Sequence, residues 1–147
     1  MNASPEQARL IERVGKIARC LGWTWPDHAH ARLNPDKSRW VVYDWINQGA
    51  SAEIDASTGA IVKLVGESLE RLGTPPDLPA AQTPSDDEIR QSARSFAARA
   101  EFSSPGPEPG DVQHHAWIEW TVTWKHLRIT LSGPKGRLKP VSFEALH

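Results

Sequence analysis

Histidines supply the first residue types from which a site could be built. His28 and His30 stand two apart beside Asp27, and His114 and His115 stand together later in the chain. Alternate residues of a strand share a face, so His28 and His30 could offer two imidazoles to one metal ion. No cysteine pair or second ligand motif accompanies them, and solvated or hydrogen-bonded imidazoles are the simpler reading. Asp55 and Thr58 have the side chains of catalytic groups, yet the run Asp55-Ala56-Ser57-Thr58-Gly59 needs both for the hydrogen bonds of a tight turn. Serine, histidine and aspartate are all present, but without a Gly-x-Ser-x-Gly elbow, and no glycine-rich loop leads into a helix to cradle phosphate. Cys20 has no neighbour that would lower its pKa and reads as an inert, partly buried thiol. Arg128, Lys135, Arg137 and Lys139, near Trp117 and Trp124, could hold a single strand of nucleic acid by charge and stacking. The reading is therefore no catalytic residue, no metal and no cofactor.

Charge and length narrow the choice further. The 147 residues carry 17 Lys and Arg against 18 Asp and Glu, a net charge of −1. Split after Thr74, the halves hold 9 basic against 9 acidic residues and 8 against 9, so neither advertises nucleic acid or an anionic membrane. A single cysteine cannot form an internal disulfide. The N-terminus has no signal-like apolar core, and no apolar run nears the ~20 residues of a membrane span. These features predict a cytoplasmic protein, monomer or homodimer. Seven tryptophans are the unusual count, because tryptophan serves both cores and interface hot spots.

The elements that must position these residues come in two similar sets. Ser4-Pro5-Glu6-Gln7 forms a capping box with Pro at the first helical position. Leu10, Ile11, Val14, Ile17, Ala18 and Leu21 then share one helical arc, and Gly22 can end it. Thr83-Pro84-Ser85-Asp86 opens a second helix in the same manner, whose Ile89, Ala93, Phe96, Ala97 and Ala100 form a smaller apolar face. Trp40-Val41-Val42-Tyr43 reappears as Trp117-Ile118-Glu119-Trp120, and the same offset separates Gly59 from Gly136. Between the sets, Gly73–Gln82 with Pro75, Pro76 and Pro79 reads as a stiff linker. Strands are expected near His28–Leu33, Arg39–Ile46, Ala50–Asp55 and Ala60–Val65. They are expected again at 115–124, Leu127–Leu131 and Leu138–Phe143, with Ser103–Gly110 as a loop. The predicted fold class is α+β: two repeats of a helix followed by an antiparallel β-meander, packed together. The units are residues 1–72 and 83–147, joined by the linker 73–82.

A helix, an aromatic-led strand and a strand ending in Asp-x-x-Thr-Gly resemble the PepSY family. The residues that carry the likeness are Trp40-Val41-Val42-Tyr43 and Ile54-Asp55-Ala56-Ser57-Thr58-Gly59-Ala60-Ile61. The second unit keeps the helix, the aromatic strand and Gly136, with Ser132 and Lys135 where the first has Asp55 and Thr58. The resemblance implies a cystatin-like, non-catalytic module that binds or restrains another protein. Strand alternation places Tyr43, Trp45, Trp120 and Trp124 toward the helices, and Trp40 and Trp117 on the opposite face with Asp44 and Glu119. Trp40, Trp117, Asp44 and Glu119 are therefore the candidate partner-binding residues, and the partner is an unknown protein or peptide. The alternatives are a small-ligand-binding or hydrolytic enzyme using the groove between repeats, and a structural self-associating domain.

Overall fold

A computed structural model describes residues 4–23, 29–44, 51–66, 81, 83–102, 106–114 and 119–146, excluding the side chain of Asp44. Trp45, Trp117, His28, His115, the Gln48-Gly49 turn and most of the 73–82 segment lie outside the described residues. Helix α1 spans Pro5–Cys20 and is followed by strands β1 (Ala29–Leu33), β2 (Arg39–Asp44), β3 (Ser51–Asp55) and β4 (Ile61–Val65). Helix α2 spans Asp86–Arg99 and precedes β5 (Asp111–His114), β6 (Glu119–Thr123), β7 (Leu127–Ser132) and β8 (Lys139–Ala145). All eight strands form one antiparallel sheet in the order β1-β2-β3-β4-β8-β7-β6-β5.

Both helices begin and end for reasons visible in their residues. The Ser4 hydroxyl accepts from the Gln7 amide at 3.2 Å, and the Gln7 side chain accepts from the Ser4 amide at 2.8 Å. That satisfies two of the donors a helix start leaves unpaired. In α2 the cap is Ser85, which accepts from the Glu88 amide at 3.1 Å, so the helix starts beyond the Thr83-Pro84 pair expected to open it. At the far ends, Trp23 donates its amide to Ala18 and Phe102 donates to Ala97. Between each of those pairs lies a left-handed residue, Gly22 at φ 79° and Glu101 at φ 63°.

Sheet and helices meet in one core. A row of apolar residues crosses the sheet from Ala31 through Val42, Ala52 and Leu64 to Phe143, Ile129, Val122 and Val112. Both helices pack on that row. Volume is shared unequally between the layers. Over β1–β3 the sheet offers the small Ala29, Ala31 and Ala52, and α1 brings Val14, Ile17 and Leu21. Over β5–β8 the sheet brings Trp120, Trp124, Ile129 and Leu131, and α2 offers Ala93, Ala97 and Ala100. Large against small on each side keeps packing density uniform, which explains why the apolar face of α2 is the smaller one.

The faces of β6 match the sequence expectation: Trp120, Val122 and Trp124 are buried. Those of β2 are reversed. Val42 is fully buried, Trp40 packs half-buried against the core, and Tyr43 lies on the opposite face beside His30. The cause is register, because Trp40 pairs with Ile54 and Val42 with Ala52, both core residues. A shift by an odd number of residues sends every side chain of a strand to the other face. Residues 106–110 lead into the added edge strand β5, held by Arg94, which donates to the Gly106 and Glu108 carbonyls at 2.6 and 2.7 Å.

The two faces predict contrasting stabilities. Trp120→Ala should cost about 3–5 kcal/mol, the range for a large aromatic removed from a core. Tyr43→Ala should cost about 1 kcal/mol, as for a partly exposed surface position. Urea melts of the two variants test the assignment, and equal losses would contradict it.

Candidate functional site

Among the described residues the histidines do not gather into a centre. His30 is on β1 and His114 on β5, the two outer strands of the sheet. Seven spacings of ~4.8 Å separate them, roughly 30 Å. His114 instead stacks on Trp120 with ring centres 5.1 Å apart. Among the described residues no three of His, Cys, Asp and Glu are placed to hold a metal ion.

The Asp55 turn is built as its residues dictate. One oxygen of Asp55 accepts from the amides of Ser57 and Thr58 at 2.8 and 3.1 Å and from the Ser57 hydroxyl at 2.7 Å. Gly59 closes the turn at φ 76°, a region where a side chain is strained. The Ser57 hydroxyl, then the Thr58 and Ser57 amides, hold the Asp55 carboxyl below its ordinary value. Asp36 makes a similar turn, accepting the amide and hydroxyl of Ser38. The turn has a consequence beyond itself: it presents the Gly59 carbonyl to Arg13, whose Nη1 donates to it at 2.6 Å.

Arg13 is the centre of a groove. Its Nε lies 3.5 Å from a carboxylate oxygen of Glu101, just past the end of α2. Two hollows share this ion pair as a wall. The first, about 480 Å³, runs over Ile61, Phe102, Leu127 and Ala145, with Lys125 and His126 at its side. The second, about 460 Å³, runs along α1 past Arg9, Glu12, Lys16, Ile17 and Cys20 to Arg99. Arg9, Arg13, Lys16 and Cys20 sit at helical spacings that bring them to one side of α1. Cys20 is exposed here, a correction to the partly buried thiol expected, because it falls outside the arc that buries Val14, Ile17 and Ala18. Among the described residues the hollows hold five basic side chains against two acidic ones over an apolar floor. Glu101 is notable at its position. Its left-handed backbone ends α2 as that of Gly22 ends α1, and this sets its carboxylate toward Arg13.

None of these groove residues was singled out as a site in the sequence. The signal present there was the basic side of α1, which reads as an ordinary solvated face until α2 and the Asp55 turn are brought against it. Of the residues expected to bind a partner, Trp40 packs on the core side and Glu119 is half-buried opposite Ser132 on the other face. Trp117 and the Asp44 side chain lie outside the described residues. Among the described residues no helix is long and apolar enough to cross a membrane.

The Asp55 turn gives a pH prediction. A carboxyl whose pKa is depressed on folding adds stability above its unfolded value, and that stability is lost as pH falls through the folded value. The chain should therefore lose melting temperature below the ordinary aspartate value of 3.8, with Asp55 and Asp36 both contributing. Asp55→Asn should flatten that slope, measured as melting temperature against pH, and an unchanged slope would contradict the assignment. Comparison of the chain with family models, with curated proteins and with solved structures finds no match.

Proposed function

We propose that the chain is a non-catalytic module that binds an acidic segment of another protein in the groove around Arg13 and Glu101. The observation that carries this reading is the local excess of positive charge, five basic side chains against two acidic among the described residues, in a chain whose net charge is −1. Fixed cations beside low-dielectric walls concentrate an anionic partner and raise its rate of association. The floor of Ile61, Phe102 and Leu127 offers apolar contact between the charges. Two hollows end to end suit an extended chain, which would lay carboxylates along Arg9, Lys16, Arg99 and Lys125. Glu101 already occupies Arg13 and stands where a partner's carboxylate would bind.

The same proposal takes the chain as two helix-plus-meander units of PepSY-like design. Element order supports it, since each helix precedes four strands. So do the helix ends, where Gly22 and Glu101, and the bonds Trp23 to Ala18 and Phe102 to Ala97, stand at one common offset. Leu64 and Phe143, paired at the joint of the sheet, keep that offset. In this reading Trp40 corresponds to Trp120, both set toward the core, and Ile54 corresponds to Leu131. The β2–β3 connection is then the longer one and the β6–β7 connection the shorter. A binding module needs such a joint, because the groove takes its walls from both units.

Binding is tested with a fluorescent acidic peptide and the full chain. Lys16→Glu with Arg99→Glu should weaken binding by at least about tenfold, equivalent to ~1.4 kcal/mol. Glu101→Gln should strengthen it, since Arg13 is released. Arg32→Glu, on the opposite face of the sheet, should change nothing. Equal weakening by all three variants, or no binding of acidic over basic peptides, would contradict the proposal.

A further inference from the structure

The sheet face turned away from the helices carries its own pattern. Register sets Arg32, Val41, Glu53 and Lys63 in one row across β1 to β4. The row continues through Glu144, Arg128, Thr123 and Asp111 across β8 to β5. Each of these residues has a core residue beside it in its strand, so all share the outer face. Counted outward from the β4·β8 joint, the two halves of the row are opposite in sign. Lys63 stands against Glu144, Glu53 against Arg128, the uncharged Val41 against Thr123, and Arg32 against Asp111. The next row runs from His30 and Tyr43 through Ser51, Val65, Ser142, Thr130 and the buried Thr121 to Gln113, and among these described residues it has no carboxylate, lysine or arginine.

Such a row is complementary to itself. A second copy related by a two-fold axis parallel to the strands at the joint sets its β8 over β4, its β7 over β3 and its β5 over β1. Every charge of the row then meets its opposite on the other copy. A two-fold axis across the strands would instead set Arg32 on Arg32 and Glu53 on Glu53, which like-charge repulsion disfavours. We propose that this face docks a second copy of the chain, sheet on sheet, with β1–β4 of one copy over β5–β8 of the other. Packed sheets lie ~10 Å apart, a gap that lysine, arginine and glutamate side chains can span from both sides. The intramolecular pairs Arg39–Glu53 at 3.4 Å and Arg128–Glu144 at 3.9 Å are partly exposed and extend readily to a facing partner. Because charge dominates, association weakens as salt rises. The hollow between α1 and α2 lies on the helix side and stays open in the dimer.

Arg32 and Asp111 make the clean test, because they are exposed on the two outer strands of one copy, roughly 30 Å apart at ~4.8 Å per strand. That distance exceeds the ~10 Å Debye length at ~0.1 M salt, so coupling between them reports contact between copies. Sedimentation equilibrium of the full chain should show a dimer that dissociates with added salt. Arg32→Asp alone and Asp111→Arg alone should each weaken it by about tenfold or more, because each sets like charges face to face. A one-to-one mixture of these two variants should recover dimerisation, since both facing pairs are again opposite. Circular dichroism melts matching the unsubstituted chain establish that each variant is folded. A monomer at every salt concentration, single variants that dimerise unchanged, or a mixture that fails to recover would each overturn the proposal.

Discussion

The β4·β8 pairing is the interaction on which the rest of the structure depends. Three pairs, Lys63↔Glu144, Leu64↔Phe143 and Val65↔Ser142, join two four-stranded meanders into one sheet. The middle pair is also the centre of the core. Phe143 is fully buried, Phe102 stacks on it at 5.4 Å, and Trp23 tilts against it at 6.1 Å. Trp23 reaches across from the end of α1, and its indole N–H donates to the Pro140 carbonyl of β8 at 2.9 Å. Gly66 makes room for that ring, since a Cβ there would run into it. One apolar row shared across eight strands gives both helices a common core.

Both candidate surfaces inherit their form from this joint. The groove takes Arg13 and Ile61 from before the α2 boundary, and Glu101, Phe102 and Leu127 from after it. The outer charge row runs without a break only because Lys63 pairs with Glu144. Helix side and outer side thus carry different chemistry for one reason. Period-two alternation sends apolar residues to one face and leaves charges and hydroxyls on the other.

Local chemistry was legible in the sequence wherever a few adjacent residues decide it. The Ser4–Gln7 box, the Gly22 helix end, the Asp55–Gly59 turn and the burial of Trp120 and Trp124 all follow from short-range rules. The face of β2 did not, because Trp40, Val41, Val42 and Tyr43 are all apolar or aromatic and alternation alone cannot choose between them. Partners in β3 decide the face, and pairing Trp40 with Ile54 and Val42 with Ala52 turns it opposite to the one expected. The groove was illegible for a different reason. Arg13, Gly59 and Glu101 are far apart in sequence, and only packing brings the guanidinium onto a turn carbonyl and a carboxylate.

Native-state hydrogen exchange across a denaturant series tests most directly whether the joint makes the chain one cooperative unit. The account predicts that the paired amides of β4 and β8 exchange only through global unfolding, with the same free energy and denaturant dependence as core amides of β2 and β6. Exchange at β4 and β8 through a smaller opening, with the strands on either side remaining protected, would show two independent meanders. That result would contradict the account.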